Sequence, residues 1–121
     1  MVELPRVRRG CIYWVDFDPV RGSEEGKRRP ALVIQNNLGN LSSAVTTVIA
    51  ITSQVPSRRY PMHVHLTLLG RPAVILCEQI RTVSLERVDP EVIAELSPEL
   101  LAQVEQALRH QLGLSEETAG L

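Results

Sequence analysis

Cys11-Ile12-Tyr13-Trp14-Val15-Asp16-Phe17 is a seven-residue run rich in β-branched and aromatic side chains, and Asp18-Pro19 stops it. Proline has no N–H to give to a ladder, so the run reads as a short strand with a hard end. The same grammar recurs downstream. Ala31-Leu32-Val33-Ile34-Gln35 follows Pro30 and runs into the turn-forming cluster Asn36-Asn37-Leu38-Gly39-Asn40. Residues 46–51, 62–67 and 73–77 are three further runs of strand length, the second with alternating polarity. Continuous apolar runs need cover on both faces or a sheet rolled on itself. Short strands at close spacing, without long crossovers, favour a compact antiparallel barrel over a parallel α/β sheet.

The last third changes period. Ser97-Pro98-Glu99 supplies an N-cap hydroxyl, a proline at the first helical position and an acid at the positive end of the dipole. Leu101, Val104, Leu108 and Leu112 recur at helical spacing, and Gly113 is a natural stop. Residues 115–121 read as a frayed tail, with 117–121 as its disordered end. The fold class expected is mainly β with α, an antiparallel barrel followed by a C-terminal helix, in one domain over residues 1–121.

Composition narrows the function. With 44% apolar residues over 121 positions the chain can bury a real core. One Trp, one Phe and two Tyr leave little for a surface that grips nucleic acid chiefly by stacking. Cys11 and Cys77 lie inside apolar runs without CxxC spacing and read as small buried hydrophobes. His63 and His65 lack a third ligand at a zinc-like spacing, and no phosphate-binding glycine loop is present. No metal and no nucleotide cofactor is therefore expected. No stretch reaches the roughly 18 apolar residues of a membrane span, and the first residues lack a secretory apolar region, so a cytoplasmic protein is expected. The net charge of −1 hides an asymmetry: residues 1–85 carry +5 and residues 86–121 carry −6. That split suggests a basic working surface and an acidic far side.

Three segments carry polar chemistry. Residues 18–30 form a long connection with two glycines that ends in Lys27-Arg28-Arg29, suited to holding a phosphate backbone. Thr52-Ser53-Gln54 sets three hydrogen-bonding side chains at the end of an apolar strand. Glu78-Gln79-Ile80-Arg81-Thr82 continues a buried strand, and alternation puts Gln79 and Arg81 on one face, suited to base edges and phosphates.

Arg9-Gly10-Cys11 through Asp18-Pro19, Gly22-Ser23-Glu24, Arg29-Pro30, Asn36 through Asn40, Ile51-Thr52-Ser53 and Glu78 through Thr82, in that order, resemble the MazF/PemK toxin family. The resemblance spans residues 9–112. It implies an SH3-like barrel, a symmetric homodimer, and metal-independent, sequence-specific cleavage of single-stranded RNA that inhibits translation. It also implies a separate acidic antitoxin of the MazE type. Carried onto this sequence, the catalytic residues are Arg29 and Thr52, with Glu24 as the family's glutamate. Either Arg29 or Glu24 would be the general base, and the sequence leaves that choice open. Candidate RNA-binding residues are Phe17, Lys27, Arg28, Asn36, Ser53, Gln54, Gln79 and Arg81. The turn Leu68-Leu69-Gly70-Arg71-Pro72 is shorter than in many relatives, which bears on rim contacts. The competing reading is a CcdB-like gyrase poison on the same barrel; that class works through C-terminal, typically aromatic residues, and this chain has no aromatic after Tyr60.

Overall fold

A computed structural model describes residues 5–17 and 28–114. Six strands, β1 (Cys11–Asp16), β2 (Arg28–Val33), β3 (Val45–Thr52), β4 (His63–Leu68), β5 (Arg71–Ser84) and β6 (Ala94–Glu95), form one antiparallel sheet in the order β4-β5-β3-β2-β1-β6. Two helices complete it, α1 (Asn37–Ser42) and α2 (Pro98–Gln111).

The sheet rolls because β5 bends. Its first half pairs with β4 and with the end of β3, setting Ile75 against Ile51; its second half pairs with the start of β3, setting Ile80 against Ile49. A bulge between these pairs turns the strand. Beyond β5, a single 3-10 turn over Leu85–Arg87 delivers Val88 to a bridge with Val15 of β1. The ring β1-β2-β3-β5 thereby comes close to closing, which removes most of the edge that an open sheet exposes.

Alternation sorts the side chains into two cores. Tyr13, Val15, Phe17, Ala31, Val33, Val48, Ala50, Val83 and Val88 fill the inside of the roll. Ile12, Leu32, Ile49, Ile51, Ile75 and Cys77 face the other way and pack under α2 through Val104 and Ala107. Both cysteines are free and buried. Each fully buried Ile, Leu or Val contributes about 1.5–3 kcal/mol, so helix and sheet hold one another in place.

Helix α2 starts as its sequence dictates. Ser97 accepts a hydrogen bond from the Leu100 N–H, Pro98 opens the first turn, and Gly113 takes a left-handed φ of 68°. Leu112, grouped by spacing with the apolar stripe, is instead 55% exposed as the residue that caps the helix after Gln111.

Two local expectations are corrected. The cluster at residues 36–40 does not end as a turn; it opens α1. Asn36 Oδ1 accepts from the Gly39 N–H at 2.8 Å, so the side chain that makes asparagine a turn former caps a helix here. Strand β2 begins at Arg28 rather than after Pro30. Pro30 sits opposite Trp14 of β1, while the ladder to β3 starts only at Ala31, opposite Ala50. The prolyl nitrogen offers that ladder no donor, and the cleft described next lies at this end of the two strands.

Candidate active site

A cavity of about 520 Å³ occupies this end, between the start of β2, the end of β3 and the β4–β5 turn. It is lined by Arg28, Arg29 and Pro30 from β2, Thr52, Ser53 and Gln54 from the end of β3, Leu69, Arg71 and Pro72 from the β4–β5 turn, and Trp14 from β1. Arg29 lies two residues before Ala31 and Thr52 two residues after Ala50, so both stand just past the Ala31–Ala50 pair, at the same end of the two antiparallel strands. Residues 23 positions apart in sequence thus address one space.

The Thr52 hydroxyl is oriented by its neighbour. The Gln54 backbone N–H donates to Thr52 Oγ1 at 3.1 Å. With that lone pair engaged, the hydroxyl proton is left to donate elsewhere. Arg29 is exposed and forms no ion pair with any described residue. Its neighbour behaves differently. Arg28 pairs with Asp89 at 2.8 Å, and its guanidinium lies 5.7 Å from the centre of the Trp14 ring. Arg28 therefore belongs to the wall, with its charge already met.

The remaining sequence candidates scatter. Phe17 is buried, and Arg81 covers its ring at 5.0 Å while donating to the Phe17 carbonyl at 3.3 Å. Gln79 and Arg81 are both exposed on either side of Ile80, which packs against the core, just past the irregular stretch of β5 that ends at Ile80. Neither Phe17, Gln79, Arg81 nor Asn36 lines the cavity. Glu24 and Lys27, with most of the basic connection, lie outside the described residues.

The sequence reading passed over Trp14, Leu69, Arg71 and Asp89 as site residues. Only the shortness of the β4–β5 turn hinted at two of them. His63 is bonded to Glu78 at 2.9 Å under the Tyr60 ring, and among the described residues no three potential ligands gather as a metal site. Cys77 lies in the core, its thiol pushed up to about 12 by burial first and then by the Glu78 charge, so it takes no part in chemistry.

A small rolled sheet with an Arg–Thr pair in an end cleft defines a class, and the chain belongs to the PemK-like, MazF-like toxins of type II toxin–antitoxin systems, whose pattern matches residues 8–112. It is 42% identical over 112 residues to endoribonuclease EndoA of Bacillus subtilis (strain 168), covering 89% of this chain and 96% of that protein. The fold superposes on a MazE–MazF structure from Deinococcus radiodurans with a TM-score of 0.75 at 30% identity, covering 90% of this chain and 97% of that one. Mycobacterium tuberculosis toxin MazF-mt6 shares the fold with a TM-score of 0.73 at 20% identity, over 87% and 98% of the two chains.

Proposed function

We propose that this chain is the toxin of a toxin–antitoxin pair and that, as a cytoplasmic homodimer, it cuts single-stranded RNA without a metal ion. The observation that carries the reading is the convergence of Arg29 and Thr52 on one cavity from two strands. RNA brings its own nucleophile, the 2′-hydroxyl beside the scissile phosphate. The enzyme has only to align that oxygen, stabilise the added negative charge and let the 5′-oxygen leave. The 2′-oxygen bonds to phosphorus, the bond to the 5′-oxygen breaks, and a proton passes to the departing oxygen. The products are a 2′,3′-cyclic phosphate and a 5′-hydroxyl.

Arginine suits the charge-stabilising role because it stays cationic and its planar fork binds two phosphate oxygens together. Thr52, its acceptor side held by Gln54, donates to the same phosphate. Each donor resembles an oxyanion-hole contact worth about 3 kcal/mol, so the pair supplies about 5–6 kcal/mol, roughly a ten-thousandfold in rate. A guanidinium is a poor proton acceptor, which favours a carboxylate such as Glu24 as base. Ser53 and Gln54, beside the pair, are placed to read the flanking nucleotide. A MazE–MazF complex exists for the Deinococcus relative. By analogy we assign this chain an acidic partner that lies along the basic residues 21–29 and blocks the RNA path.

The test is Arg29→Ala. Cleavage of a single-stranded RNA should fall at least a hundredfold while the melting temperature stays at the wild-type value, since Arg29 is exposed and bridges nothing among the described residues. Activity within tenfold of wild type would overturn the assignment.

A further inference from the structure

The β4–β5 turn is built against its own interest. Leu68 and Arg71 form the last pair of the two strands, which leaves Leu69 and Gly70 as a two-residue loop. Both have positive φ, 51° and 78°. Loops of this kind favour Asn-Gly or Gly-Gly, since a side chain in the left-handed region costs backbone energy that asparagine and glycine tolerate best. Leu69 is the one non-glycine residue with positive φ among the described residues. Its side chain is also 68% exposed, so burial returns nothing for the strain. Outliers of this sort cluster where a ligand is clamped.

What surrounds the turn says which ligand. Leu69 and Arg71 line the same cavity as Arg29 and Thr52. None of the ion pairs among the described residues involves Arg29 or Arg71. Among the described residues the cavity is thus lined by two arginines without an acidic partner, Arg29 and Arg71, while Arg28 is paired with Asp89. Two cations facing one space repel unless anions separate them, and a single phosphate held by Arg29 and Thr52 leaves the second cation unserved. A chain of phosphates serves both. The volume, about 520 Å³, lies within the roughly 300–1,000 Å³ of small-molecule sites and leaves room beyond one phosphoryl group.

We propose that the β4–β5 turn forms a nucleotide subsite beside the Arg29–Thr52 pair, in which Arg71 holds a phosphate adjacent to the scissile one and Leu69 packs against the base of that nucleotide. The subsite rests on the ribonuclease reading above and deepens it by placing a specificity-determining contact on the rim. An apolar side chain against a base face tolerates several bases, so its contribution is to position and to exclude water, with mild preference by stacking strength.

The test uses an RNA made uncleavable by one 2′-deoxy sugar at the scissile position, with single phosphates replaced in turn by neutral methylphosphonates. For wild type, neutralising one phosphate next to the scissile one should weaken binding roughly tenfold, the loss of one charge-assisted contact. Arg71→Ala should cost about the same. The double change should cost no more than either alone, since both remove one contact. Multiplicative losses at every flanking position would overturn the subsite. Leu69→Asn, which suits the left-handed turn, should hold or raise the melting temperature yet weaken RNA binding at least threefold. Unchanged RNA binding would make Leu69 only a poor turn residue. If Arg71→Ala weakens an acidic peptide and leaves RNA binding intact, the rim belongs to a protein partner and the RNA subsite is wrong. These readouts are binding constants, so they stand apart from the cleavage test of Arg29→Ala.

Discussion

Thr52 shows how much chemistry one backbone N–H can set. Without the Gln54 bond its hydroxyl could accept from any donor; with it, one lone pair is engaged and the proton is left to donate elsewhere. The neighbouring β4–β5 surface holds a residue of the opposite kind. His65 Nε2 is buried without a partner, and burial, with smaller effects from the Arg59 charge and His63, holds His65 below the ordinary 6.5. An unfolded chain binds this proton near pH 6.5, whereas the folded chain refuses it. The resulting stability is complete above that pH and drains as pH falls through and below it. Thermal midpoints should therefore drop between pH 7.5 and 5.5, and His65→Phe should flatten that fall. Equal slopes in the two proteins would show that other groups govern it. At this scale the sequence was legible where a residue type is itself the chemistry. Arg29 and Thr52 are named by the family resemblance, and both line one cavity. That Arg81 would cover the Phe17 ring, or Asp89 quench Arg28, could not be read, because both pairings join residues more than sixty positions apart.

Among the elements, β1, β3, β4 and α2 followed from period and punctuation with ends displaced by a residue or two, whereas β2 begins three residues early, β5 runs on to Ser84 and the two-residue β6 showed no signal. Helix α1 was not legible either. Six residues are too few to show a helical period, and its asparagines and glycine speak equally for turns. What decides is a tertiary network. Asn40, 2% exposed, accepts from Gln35 Nε2 at 3.0 Å and Thr46 Oγ1 at 2.7 Å, and its amide donates to the Gln35 carbonyl at 3.0 Å and Asn37 Oδ1 at 3.2 Å. A buried asparagine with its hydrogen-bonding groups satisfied welds α1 to β3. Asn40→Ala removes the acceptor of buried Thr46 and the donor to the Gln35 carbonyl, while Gln35 Nε2 keeps the Val45 carbonyl and Asn37 Oδ1 keeps the Arg9 N–H; each buried group left unmet costs about 1–3 kcal/mol. We expect a loss of about 3 kcal/mol in urea unfolding with the m-value unchanged. A loss under about 1 kcal/mol would mean that water replaces the amide.

Over the whole molecule, the charge split of the sequence becomes contact as well as surface. Arg9 pairs with Glu105 at 2.9 Å and Arg28 with Asp89 at 2.8 Å, so part of the acidic last third is tied to the basic first part. The exposed Arg28–Asp89 pair adds little stability, roughly 0–1 kcal/mol, and the half-buried Arg9–Glu105 pair is still open to solvent. Their effect is selection: they withdraw Arg9 and Arg28 from the positive surface and leave Arg29 and Arg71 to face the cavity. The barrel was legible from strand spacing, and part of the cleft from the segments at Arg29 and Thr52. The share of Leu69 and Arg71 was not, since it depends on β5 pairing with the end of β3 as well as with β4. If the cleft lets RNA attack itself, the ends left behind are the most direct record. Purified protein acting on single-stranded RNA in excess EDTA should leave 2′,3′-cyclic phosphate and 5′-hydroxyl termini, and one 2′-deoxy sugar at the cut site should stop it. Termini with a 5′-phosphate, or cutting that persists through the 2′-deoxy position, would rule out attack by the 2′-hydroxyl.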